Sequence, residues 1–157
     1  MTGTDKPEGC IFCDPVAAHP SDSSRHELVL IHGPLCSAIL NLYPYNNGHL
    51  LVVPHRHIGT LASTTAEERA ELMRLTRHAE IALSEAYAPQ GINVGINLGR
   101  SAGAGILDHL HIHLVPRWDG DTNFMSVVGN VRVLPEELSD TAARLRPIFE
   151  RLAKEDT

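Results

Sequence analysis

No apolar stretch in this 157-residue chain approaches the ~20 residues that a membrane-spanning helix needs, so no membrane partner is expected. Basic residues are in deficit. Thirteen Lys and Arg against nineteen Asp and Glu give a net charge of −6, which argues against a surface built to wrap nucleic-acid phosphates. The opening residues, MTGTDKPEGC, lack the basic-then-apolar layout of a secretory leader. Cysteine is scarce and odd in number: Cys10, Cys13 and Cys36. That argues against a disulfide framework and, with no leader visible, makes a reducing cytoplasm the expected compartment. Aromatics are only 4% of the chain, yet 43% of residues are hydrophobic, enough for one folded domain with a real core. What is abundant is histidine, at ten residues.

The order of elements reads as α+β. Polar segments at 1–9 and 17–25 flank the C-x-x-C of Cys10 and Cys13. Short apolar runs follow (HELVLIH, LCSAILNL, HLLVVP), separated by turns rich in Gly, Pro and Asn, the pattern of an antiparallel meander. Cys36 falls in an apolar run and reads as a small core residue. From Thr65 the period changes. Leu72, Leu75, Ala79, Ala82, Leu83 and Ala86 recur at three-and-four spacing, predicting a helix over about 65–87 that ends before Pro89 and Gly91. Thr64 with Glu67 and Thr65 with Glu68 each offer a capping box. His78 is placed on or beside the solvated face of that helix, with Arg69, Arg74, Arg77 and Glu80.

In GINVGINLG, Ile92, Val94, Ile96 and Leu98 point one way, and Asn93, Gly95 and Asn97 the other. A C-terminal helix is expected from Leu134 or Ser139, burying Leu138, Ala142, Leu145, Phe149 and Leu152, with a kink or break at Pro147. The whole chain, 1–157, reads as one domain: a core over about 10–118 and an extension over 119–157.

The sharpest feature is HLHIHLVPRW. On a strand, His109, His111 and His113 face one way while Leu110, Ile112 and Leu114 enter the core. Three imidazoles in strict alternation are hard to explain by packing. A neutral imidazole is a competent nucleophile near pH 7, and attack on phosphorus splits one displacement into two easier ones. A neighbouring imidazole can donate a hydrogen bond to the phosphoryl oxygens as charge shifts. Only His111 has an imidazole on each side, which makes it the candidate nucleophile, with His109 and His113 as catalytic neighbours. The preceding loop, Gly99 to Gly105, could cradle phosphate oxygens with backbone N–H groups at Gly103, Ala104 and Gly105, helped by Arg100 and Ser101.

The H-L-H-I-H-L-V run followed by P-R, with ILNLYPYNNGHLLVVPHRH and NVGINLGRSAG upstream, resembles the histidine triad superfamily of nucleotidyl hydrolases and transferases. The resemblance implies an antiparallel sheet of about five strands with two helices, usually in a homodimer. It also implies a nucleotide or dinucleoside polyphosphate substrate attacked at its α-phosphate by His111, with His113 on the same phosphate. Asn41 matches the family's ribose-binding position, and His49 matches the histidine of its G-H-x-L strand. The stretches NLYPYNNGHLLVVP and VPRWDGDTNFM look most like bacterial members that split diadenosine tetraphosphate. The purine-nucleoside phosphoramidases of the family usually carry Gln and Ser or Thr where this chain has Gly105 and Ile106, so Asn97 and Ser101 are the candidates for contact with the leaving group.

A subset of the family holds a structural zinc by a C-x-x-C pair and two histidines. These match Cys10, Cys13, His57 and His109. Two thiolates and two imidazoles form the closed tetrahedral shell that structural zinc prefers. His19, His26, His32 and His55 are read as solvated. The competing functions are a nucleoside phosphoramidase, a nucleotide-binding regulatory module with little turnover, and a zinc-dependent nucleic-acid binder. The acidic balance disfavours the last.

Overall fold

The computed structural model describes residues 10–13, 27–103, 108–121 and 136–156. Two helices and an open five-stranded antiparallel sheet follow in the order β1 (Val29–His32), β2 (Cys36–Leu40), β3 (Leu50–Pro54), α1 (Ala66–Tyr87), β4 (Gly91–Ile96), β5 (Ile112–Arg117) and α2 (Leu138–Glu155). The strand order is β1-β2-β3-β5-β4, so β5 inserts between the meander and the edge strand β4. The α+β fold expected from the sequence is the one observed.

Strand alternation gives the sheet two different faces. Cys36, Ala38, Leu40, Leu50, Val52, Leu110, Ile112 and Leu114 join Leu72, Leu75 and Leu83 of α1 and Leu145 and Phe149 of α2 in the main core. Ile39, Leu51 and Val53, on the opposite face, pack with Phe12 into a second, smaller cluster. Among the described residues, the helices therefore cover one face and the short Cys10–Cys13 segment packs on the other.

Two glycines are required by close approach. Gly48 enters β3 at φ +76°, and a side chain there would press on Leu83 and Tyr87 at 3.0 Å. A Cβ on Gly33 would meet Glu71 Oε1 at 2.1 Å. That carboxylate accepts the Leu35 backbone N–H (2.8 Å) and so fixes the β1–β2 turn to α1.

Several expectations are corrected. Of the two possible capping boxes at α1, the chain uses Thr65 and Glu68: Glu68 N–H donates to Thr65 Oγ1 and Thr65 N–H to Glu68 Oε2. Thr64 instead donates its hydroxyl to the Leu61 carbonyl. The C-terminal helix begins at Leu138 and continues through Pro147 without a break. Proline removes only the hydrogen bond to the Ala143 carbonyl, and both residues lie on the exposed side, where that carbonyl is open to solvent.

His78 is not on a solvated face. It is fully buried, and its Nε2 lies 2.6 Å from Asp156 Oδ2 at the end of α2. The apolar row of β4 is only partly covered: Ile92 and Ile96 pack on the core, but Val94 is 52% exposed and Leu98 45%. The helices lie over β1, β2, β3 and β5, and the edge strand extends past them. His32 is exposed, as expected, and His55 is half-buried. Their rings stack at 4.4 Å and share Ser37 Oγ, at 2.8 and 2.9 Å. His19, His26 and residues 125–128 lie outside the described residues.

Candidate active site

The histidine run reaches the site by a different local path from a regular strand. Ladder pairing of β5 begins at Ile112, so only His113 lies within the strand. Before it, Leu110 N–H donates to the Ile58 carbonyl (2.6 Å), and His109 Nε2–H donates to the Pro54 carbonyl (2.9 Å). These bonds tie His109 and Leu110 to the end of β3 and the segment after it, in place of a sheet ladder. The alternation still holds. The three aliphatic residues enter the main core, and His111 and His113 stand together at 4.7 Å between ring centroids.

Backbone groups fix the tautomer of each ring. The His109 carbonyl can only accept, so His111 Nδ1 carries the proton in their 2.8 Å contact and Nε2 keeps its lone pair. Tyr45 backbone N–H donates to His49 Nδ1 (3.0 Å), which leaves the proton on His49 Nε2. That N–H donates in turn to His113 Nδ1 (3.0 Å), so His113 directs its own Nε2–H outward. The result is one imidazole with an available lone pair beside another with an available N–H.

Burial favours the neutral form of His109, His111 and His113. It lowers the pKa of His111, with the His109 carbonyl opposing. Burial first, then the nearby His111, pushes His113 down to about 4. His109 is pushed down to about 4, chiefly by burial and then by His57 and His111, while its bond to the Pro54 carbonyl opposes the fall.

Asn41 Nδ2 lies 3.3 Å from His49 Nδ1, beside the relay, and Asn41 Oδ1 accepts the Tyr43 N–H (3.0 Å), shaping the turn that carries Tyr45. On the other side, Ile96 pairs with Ile112, so Asn97 leaves β4 next to His111. The turn Arg100–Ala102 follows, with Asn97 Nδ2 3.5 Å from the Gly103 carbonyl. Ser101 and Gly103 are exposed on this loop, while Ala104 and Gly105 lie outside the described residues.

A second cluster adjoins the first. Cys10 Sγ and Cys13 Sγ lie 3.4 and 3.5 Å from His109 Nδ1, and Cys13 Sγ lies 3.3 Å from His57 Nδ1. All four donor atoms fall within 4.8 Å of one another. A tetrahedron whose vertices stand ~2.0–2.3 Å from its centre has edges of ~3.3–3.8 Å, so these sulfur–nitrogen separations suit a tetrahedral metal site. The bond from His109 Nε2 to the Pro54 carbonyl leaves Nδ1 as the ligating atom, a common second-shell arrangement for metal-bound histidine. The four residues could hold a metal ion.

Two residues at the site were not singled out from the sequence. Tyr45 supplies the N–H that starts the relay, and its ring lies 4.7 Å from that of His49, tilted at 42°. Phe12 sits between the two cysteines and contacts His111 and His109. An aromatic residue inside a C-x-x-C of an otherwise polar segment was the available signal.

The HIT domain family profile matches residues 23–120, which include the meander, the relay and the histidine run. This chain belongs to the HIT domain family. An AP-4-A phosphorylase of Mycobacterium tuberculosis is 47% identical to this HIT chain over 127 residues, 81% of this chain and 65% of that protein. The chain thus spans just under two thirds of that relative's length. A bis(5'-adenosyl)-triphosphatase of Dictyostelium discoideum is 30% identical over 132 residues, covering 80% of this chain and 88% of that one. In structure, a zinc-bound histidine triad family protein from Mycobacterium smegmatis superimposes with a TM-score of 0.71 at 27% identity, covering 94% of this chain and 97% of its own. The fold is the HIT fold. Among the described residues, no helix is long and apolar enough to cross a membrane.

Proposed function

We propose that this HIT protein is an enzyme that splits a dinucleoside polyphosphate, of the diadenosine tetraphosphate class, at an α-phosphate. The observation that carries the reading is the 2.8 Å bond from His111 Nδ1 to the His109 carbonyl, which leaves Nε2 unprotonated beside the outward N–H of His113. Nε2 of His111 attacks the α-phosphorus, an N–P bond forms, and the P–O bond to the leaving nucleotide breaks. His113 donates its Nε2–H to a phosphoryl oxygen as negative charge develops. Asn41 holds the ribose, and Asn97, Ser101 and the amides at Gly103, Ala104 and Gly105 bind the polyphosphate. In the second step an oxygen of inorganic phosphate or water displaces His111. Phosphate as acceptor gives a phosphorylase and water a hydrolase.

Support comes from the relatives that bear phosphorylase and triphosphatase names. We assign Cys10, Cys13, His57 and His109 to a structural zinc. When bound, the ion supplies a closed cross-link between the N-terminal segment and the histidine run. We also read the chain as a single domain over 1–157, working as a cytoplasmic homodimer.

The direct test incubates wild type and His111→Asn with diadenosine tetraphosphate, with and without inorganic phosphate. Turnover by the wild type and its loss in the variant are expected. Equal turnover by both would overturn the assignment of the nucleophile.

A further inference from the structure

The Phe12 side chain touches both clusters of this site. It is 3% exposed and packs with Ile39, Leu51 and Val53 on the sheet face that the helices do not cover. Its ring lies 5.0 Å from that of His111 at 50°, and 5.4 Å from that of His109 at 81°. Both separations fall within the range of favourable aromatic pairs. His113 stands against another side of His111 at 4.7 Å and 70°. The bond to the His109 carbonyl fixes one nitrogen of His111 but leaves the ring able to tilt about that contact, and Phe12 and His113 limit the tilt.

Phe12 keeps this position only while residues 10–13 stay against the sheet. The anchors of that segment include both cysteine sulfurs, which reach His57 and His109 from the residues on either side of the Ile11–Phe12 pair. A metal ion on the four donors would hold the thiolates and both imidazoles at one centre and so keep residues 10–13, with Phe12, against the sheet.

We propose that Phe12 is a positioning residue that couples metal ligation at Cys10, Cys13, His57 and His109 to the orientation of His111. This rests on His111 being the nucleophile. The sensitivity to placement is steep, since a misplacement of ~1 Å can cost about 100-fold in rate. A second route is also open, because the His109 backbone carbonyl itself holds His111. Phe12→Leu separates the two: it keeps an apolar side chain in the cluster and leaves the His109 backbone untouched.

The test uses the full chain with isotope-labelled histidine, followed by nuclear magnetic resonance of the ring nitrogens, with zinc content measured by elemental analysis. Removing zinc from the wild type by chelation should shift the His111 ring signals and abolish the Phe12–His111 proton contact. Phe12→Leu, loaded with one zinc, should show a similar His111 shift, with kcat lowered about tenfold or more and KM changed less than about twofold. The proposal is overturned if His111 signals in the wild type ignore zinc removal, or if zinc-loaded Phe12→Leu keeps both its His111 signals and its kcat. Should Phe12→Leu fold poorly, zinc-loaded Phe12→Met takes its place, and His111 signals and kcat both unchanged in it would overturn the proposal. If even the wild type ignores dinucleoside polyphosphates, the proposed function falls, while the ring signals still decide the coupling.

Discussion

At the scale of single residues, the site is organised by backbone groups that choose tautomers. The His109 carbonyl sets His111, the Pro54 carbonyl sets His109, and the Tyr45 N–H sets His49 and, through it, His113. The last is the longest chain of dependence and the easiest to cut. His49→Ala removes the donor to His113 Nδ1 and frees that ring to place its proton on either nitrogen. We expect kcat to fall by about tenfold or more in steady-state assays. His49→Gln, whose amide N–H can still donate, should lose less. An unchanged kcat in His49→Ala would show that His113 does not depend on this relay. The sequence displayed the three histidines of the run because they are neighbours in one alternating segment. It did not display the Tyr45 contact, which depends on how a turn of six residues folds back over His49.

At the scale of elements, the start of α1 carries more than a cap. Glu68 closes the capping box and also receives Arg56 Nε and Nη2 at 2.6 and 2.7 Å, tying the segment after β3, which delivers His57, to the helix. The Arg56 hydrogen bonds hold the Glu68 carboxyl below its ordinary value, with the Thr65 backbone bond adding to the effect and burial opposing it. Arg56→Met should lower the unfolding free energy by about 1–3 kcal/mol at pH 7, measured by chemical denaturation.

The sign with pH follows from that depressed pKa. The contribution is complete above the unfolded value of about 4.3 and is lost as pH falls through the lower folded value. The gap between variant and wild type should therefore close at acid pH. A gap that persists there would remove Glu68 from the explanation. Other features of the elements were legible only in part. Two threonines in succession offered the same cap, and sequence could not choose between them; the turn at Leu61–Ser63 engages Thr64 and leaves Thr65 to the helix. Pro147 suggested a break, but its missing N–H faces the exposed side, where the loss is small.

At the scale of the whole molecule, the sheet separates two tasks. One face builds the core with both helices, and the other carries the paired clusters beneath the Cys10–Cys13 segment. Contacts between distant parts of the chain are where sequence reading was weakest. Cys10 and His109 are 99 residues apart, and their meeting was anticipated through family resemblance, not from spacing. His78 and Asp156 are 78 residues apart, and no local pattern indicated that the end of α2 would fold over a helix position read as solvated. The order of strands and helices, by contrast, followed from local periodicity, because each element's apolar face was written into a few consecutive residues.

The central claim concerns this assembled face: a nucleotidyl group passes through His111 before reaching its acceptor. The most direct measurement is the stereochemical course at phosphorus, using a dinucleoside polyphosphate made chiral at its α-phosphorus. Two successive in-line displacements, one onto His111 and one off it, predict net retention of configuration. Net inversion would mean a single direct displacement, and it would contradict the account.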